Sequence, residues 1–182
     1  AYKHRAVVRL RLGDTTAKSG FDDLATARDY YYDANERTRN ESGKDDSYPL
    51  LNAVALDCLR RRLRLNNIKW KIDEMNAMLD RLAEAIPPDS TNFWHRTDRL
   101  NIRMVRALVN NSGDRDEADA LAADFMGEFE GESARDIDSV VKQIRFIHEI
   151  LARYQESPPR VHGFFLRFRE SLAGRLGERV RL

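Results

Sequence analysis

Apolar residues recur along this chain every three or four positions, in stretches separated by short polar or glycine-containing breaks. That period predicts amphipathic helices. The first expected helix covers residues 5–18 through Val8, Leu12, Gly13 and Thr16 and closes at Ser19-Gly20. The alternation Val8-Arg9-Leu10-Arg11-Leu12 is also the pattern of a strand. A second helix, Phe21 to about Arg37, carries Leu24, Ala27, Tyr31 and Ala34 on one face, which makes Gly20 the turn of an antiparallel pair. Residues 38–47 contain no apolar side chain and read as a surface loop.

Ser47 then offers a hydroxyl to cap a helix, and Pro49 suits its first turn, where a missing N–H costs nothing. Leu51, Ala55, Cys58, Leu59 and Leu63 share a face of that helix. After Asn66-Asn67, Ile68, Ile72, Met75, Leu79, Leu82 and Ile86 step 4-3-4-3-4, a long apolar seam stopped by Pro87-Pro88. Ser90 or Thr91 is expected to cap a helix to about Val109, with Trp94, Leu100 or Asn101, Met104, Val105 and Leu108 inward. Asp114 opens the next through Ala118, Leu121, Ala122, Phe125 and Phe129, ended by Gly131. Ser133 and Asp136 have capping-box spacing ahead of Ile137, Val140, Val141, Ile144, Ile147 and Leu151. Beyond Ser157-Pro158-Pro159, a last helix uses Val161, Phe164, Phe165, Phe168, Leu172, Leu176 and Val180, its end weakened by Gly174 and Gly177.

Eight helices and no firm strand predict an all-α fold. Helix pairs restart near 5, 47, 91 and 133, giving expected units of about 5–37, 47–86, 91–130 and 133–182. Helical hairpins at a period of roughly 34–47 residues are the sequence form of an α-solenoid. The expectation is therefore a single repeat domain over 1–182, a right-handed α-solenoid of about four hairpins; a single eight-helix bundle is the alternative.

The first unit resembles a tetratricopeptide repeat. Leu12-Gly13 matches the leucine–glycine pair of its first helix, and Ala27, Tyr31 and Ala34 match the alanine–aromatic–alanine spacing of its second. Thr16 replaces the usual aromatic, and no proline closes the unit. Tyr48-Pro49-x-x-Asn52-Ala53-x-x-Leu56 is similar to a segment of the TRAF-binding helical region of stress-activated MAP kinase kinase kinases and its bacterial multidomain relatives. Phe93-Trp94 and Ser139-Val140-Val141-x-Gln143-Ile144 extend that likeness over most of residues 5–155. It implies a non-catalytic scaffold that positions or regulates an attached or associated effector in signalling or defence. Ala1 in place of an initiator Met suggests a piece of, or partner to, a larger protein.

Composition narrows the chemistry more than it suggests any. A single cysteine, Cys58, excludes an internal disulfide framework and suits a reducing cytoplasm. No apolar run approaches the roughly 20 residues of a membrane span, so no membrane partner is expected. His4, His95, His148 and His162 have no partner at a metal-ligand spacing, and no glycine-rich phosphate loop is present. No catalytic residue, metal or cofactor is assigned. Cys58 lies on an inward face and reads as a small hydrophobe, with a reactive thiol as the alternative because arginines follow it.

Charge is segregated although the total is only +1. Arg60, Arg61, Arg62, Arg64, Lys69 and Lys71 form a basic segment without an acid. Eight acids and one base lie between Asp114 and Glu132, and six arginines and two glutamates between Arg160 and Leu182. The basic last helix is expected to dock on the acidic stretch or to cap the array. The leading functional expectation is a protein or peptide partner held in a groove, with Asn52, Arg96, Asn101 and Arg103 as polar contacts. A nucleic acid or nucleotide read by the Arg60–Lys71 segment is the alternative, weakened by the near-neutral total charge and by Trp70 being the only aromatic there.

Overall fold

The computed structural model describes residues 14–153 and 159–176. They form seven helices and no strand: α1 (Asp14–Ser42), α2 (Ser47–Arg62), α3 (Ile72–Ala85), α4 (Phe93–Asn110), α5 (Arg115–Glu128), α6 (Ala134–Arg153) and α7 (Pro159–Leu176). The fold is all-α. Residues 5–13 of the expected first helix, the Ser157-Pro158 stop, Gly177 and Val180 lie outside the described residues, as does His4. The chain divides into two compact units, Ala1–Ala85 and Ile86–Leu182. The division falls at the end of the second expected hairpin.

In the first unit, the expected turn at Ser19-Gly20 does not form. α1 runs unbroken through it for 29 residues, and Gly20 is buried inside the helix. Its inward stripe runs from Gly20 through Asp23, Leu24, Ala27, Arg28 and Asn35, whereas Ala34, expected on that face, is exposed. A helical glycine costs only about 1 kcal/mol against alanine, which packing of such a stripe outweighs. The polar loop shortens accordingly, to Gly43–Asp46, and turns on Gly43 at φ +74°. Asn35 fixes the loop from both sides: its Nδ2 donates to Asp45 (2.9 Å) and its Oδ1 accepts from the Asp46 N–H (2.7 Å). Asp46, not Ser47, is the N-cap of α2 and accepts from the Tyr48 N–H.

α2 is buried over twelve consecutive residues, Pro49 to Arg60, and packs on α1 and α3. A helix apolar all round belongs inside a core. It ends in a Schellman motif: Leu65 N–H donates to Arg60 O and Arg64 N–H to Arg61 O, with Arg64 at φ 54°. The connection to α3 stays irregular through Lys71, so the helix expected from Ile68 starts at Ile72. Met75, Leu79, Leu82 and Ile86 are buried, whereas Ile72 stays exposed.

In the second unit, Asn92 rather than Ser90 or Thr91 caps α4, accepting from the Trp94 and His95 N–H groups. Ser90 supports it, its hydroxyl accepting from the Asn92 N–H and lying 2.8 Å from His95 Nδ1. Asp114 and Glu117 complete a capping box at α5. At Ser133 the hydroxyl accepts from the Asp136 N–H and donates to the Asp136 carboxylate. α5 packs extensively on α7, with Phe125 and Phe168 rings 5.6 Å apart. Arg167 donates to Asp119 at 2.7 Å beside them, so the basic last helix does dock on the acidic stretch. The α4–α5 turn presses on the same layer. Gly113 has φ +105°, and a Cβ there would lie 2.6 Å from the Phe164 ring.

Candidate functional site

Half of the basic segment turns inward, beside the buried Asp57. That carboxylate is fully buried in α2, the one acid in the run from Pro49 to Leu65. Arg28 of α1 donates to it at 2.7 Å and to Asn67 O at 2.6 Å. Asp57 also accepts the backbone N–H groups of Lys69 (3.0 Å) and Trp70 (3.1 Å). Burial disfavours the Arg28 charge, but Asp29 and Asp57 outweigh that and hold its pKa above the ordinary value. A buried carboxylate thus keeps an irregular nine-residue connection in place by consuming its backbone donors.

The arginines continue the same task. Arg60 is buried and donates to Phe21 O (2.6 Å) and Asn66 O (2.7 Å), tying α1 to the connection. Burial, with Arg28 nearby, lowers its pKa. Arg61 donates to Trp70 O at 2.6 Å. Arg62 is half-buried and lies by the Cys58 thiol. Arg64, Lys69 and Lys71 are exposed, and the Lys69 ammonium sits 3.7 Å from the centroid of Tyr32. Six charges in sequence therefore become three exposed ones and three fold-building ones.

The four expected groove residues are also drawn into local structure. Asn52 is buried and donates to Tyr48 O at 2.7 Å. Arg96 reaches Glu128 (2.5 Å) and Glu132 (3.0 Å) on the α5 side and also donates to Thr91 O. Arg103 pairs with Asp124 at 2.5 Å. These are solvent-exposed rungs between α4 and the acidic stretch, of the kind that water screens strongly. Asn101 is half-buried, and its Oδ1 has no hydrogen-bond partner.

Two side chains that carried no functional expectation stand out instead. Tyr48 is 60% exposed; Trp94, expected to face inward, is 44% exposed because Phe93 takes the buried position at the start of α4. Each is the second residue of the first helix in its hairpin, and each N–H is held by the N-cap carboxylate or amide oxygen two residues before. Tyr31 packs edge-on against Tyr48 at 5.9 Å, and Phe93 against Trp94 at 5.0 Å. The signal was in the sequence: Tyr48 and Trp94 both lie two residues after a side chain able to cap a helix, Asp46 and Asn92, at the hairpin restarts.

Chemistry at the remaining candidates is quiet. Burial pushes the Cys58 thiol up to about 12, with Arg62 and Arg61 opposing only in part. At neutral pH that thiol is protonated and enclosed, unlike a nucleophile. Among the described residues no group of three His, Cys, Asp or Glu is placed to hold a metal ion. No described helix is long and apolar enough to cross a membrane. No protein-family model, curated protein or solved structure matches the chain.

Proposed function

We propose that this chain is a non-enzymatic, tetratricopeptide-like scaffold that binds a protein or peptide partner in the cytoplasm and regulates an attached or associated effector in signalling or defence. The observation that carries the reading is the pair of exposed aromatics, Tyr48 and Trp94, at equivalent positions of two hairpins. Tyrosine and tryptophan are the residues that most often dominate protein interfaces, because each offers a large apolar body and a polar tip. Both are supported from beneath by a second aromatic, so a partner meets a ring already ordered. Within the second unit, Arg96 and Arg103 share α4 with Trp94 and supply polar groups on the same helix, paired with carboxylates of the acidic stretch.

Photocrosslinking tests it. Benzoylphenylalanine is placed at Tyr48, at Trp94, or at the exposed control position Glu41 in the protein within its own cells. The reading expects one shared protein adduct from positions 48 and 94 and none from 41. Equal labelling from all three positions, or no adduct at 48 and 94, would overturn it.

A further inference from the structure

The α6–α7 contact of the second unit holds a histidine in a setting that the scaffold reading does not use. His148 of α6 is 5% exposed, and its ring stacks on His162 of α7 at 6.1 Å. Arg169 Nη1 of α7 lies 3.4 Å from His148 Nδ1. A guanidinium can only donate, so Nδ1 must be the bare acceptor nitrogen and the proton of the neutral ring sits on Nε2. That Nε2 is buried without a hydrogen-bond partner. A second proton would go on Nδ1, setting an N–H against the arginine N–H and a positive charge beside two basic groups.

The charges around the ring are unevenly matched. From α7 it faces Arg169 and His162, which oppose protonation, and Glu170, which favours it. On its own helix Glu149 favours it too, but that carboxylate is held by Arg145 at 3.0 Å. Desolvation of the buried ring comes first, then Arg169 and His162, and together they lower the His148 pKa below its ordinary value.

We propose that the α6–α7 contact is an acid-sensitive joint, closed while neutral His148 accepts from Arg169 and released when that imidazole takes up a proton. Release uncovers the apolar faces the two helices bury, among them Ile144, Ile147 and Leu151 of α6 and Val161 and Phe165 of α7. The direction follows from linkage. A histidine whose pKa is lowered in the closed state binds fewer protons there than in the open state. Closure is therefore full above about pH 6.5 and weakens as pH falls below it, until the closed-state pKa is passed.

The test uses the full chain. The His148 ring Cε1–H is followed by NMR between pH 8 and 5, and amide exchange of α6 and α7 is measured over the same range after correction for intrinsic rates. The expected result is a His148 midpoint below that of an unstructured histidine, and an opening constant that rises by up to about tenfold per pH unit below about 6.5. Arg169→Gln should move the His148 midpoint up, and His148→Gln should flatten the pH dependence of opening. A His148 midpoint at or above the ordinary value, opening that ignores pH, or an Arg169→Gln midpoint equal to wild type would overturn the joint.

Discussion

Arg28 and Asp57, twenty-nine residues apart on α1 and α2, meet at 2.7 Å with both side chains almost wholly enclosed. A buried ion pair of this kind is a weak source of net stability but a severe loss when only one member is removed. Asp57→Ala should therefore destabilise the protein by about 3–5 kcal/mol in denaturant unfolding. The paired replacement Arg28→Met with Asp57→Leu should cost much less than the two single changes together. Additive losses would show that the two groups do not act on one another.

Gly113 and Gly131 both have positive φ, at +105° and +80°, but only Gly113 lies against a ring. Gly131→Ala should cost about 1–2 kcal/mol, the strain of a side chain in the left-handed region. Gly113→Ala should lose a further roughly 1–3 kcal/mol by driving Phe164 out of its place. Thermal midpoints of the two variants separate the terms.

Cys58 should resist alkylation. With its thiol buried and pushed up to about 12, iodoacetamide at pH 8 should label the native protein only as fast as it opens. Labelling should accelerate through the denaturant transition. Rapid labelling of native protein would return the reactive-thiol alternative.

Any affinity for duplex DNA should depend weakly on salt. With Arg64, Lys69 and Lys71 as the exposed members of the segment, log K against log salt should slope no more steeply than about −3. A slope near about −5 would mean that all six basic residues reach phosphates.

The helices from α5 onward were close to legible, because the caps at Asp114 and Ser133 and the apolar periods agree there. Asp114 with Glu117 and the buried stripe from Val161 to Leu172 lie where spacing places them. The failures come from contacts distant in sequence. Periodicity starts a helix at Ile68, but Asp57 takes the Lys69 and Trp70 N–H groups and holds that backbone out of a helix. Gly20 reads as a turn because local preference is blind to the stripe that Leu24 and Ala27 share with it. Counting charges found Arg60 and Arg61 but not their direction. The clue was Asp57 itself, a single acid inside an apolar helix, which needs a buried cation, and Arg28 stands on the inward stripe of α1 beside Ala27.

The central claim is that the arginine-rich connection is folded inward on Asp57, leaving recognition to the aromatic positions. Native-state amide exchange at Lys69 and Trp70 tests it most directly. Both N–H groups are bonded to Asp57, so their protection should approach that of the α2 core despite the irregular backbone, and Asp57→Ala should abolish it. Exchange of these two amides at the rate of an open surface loop would contradict the account.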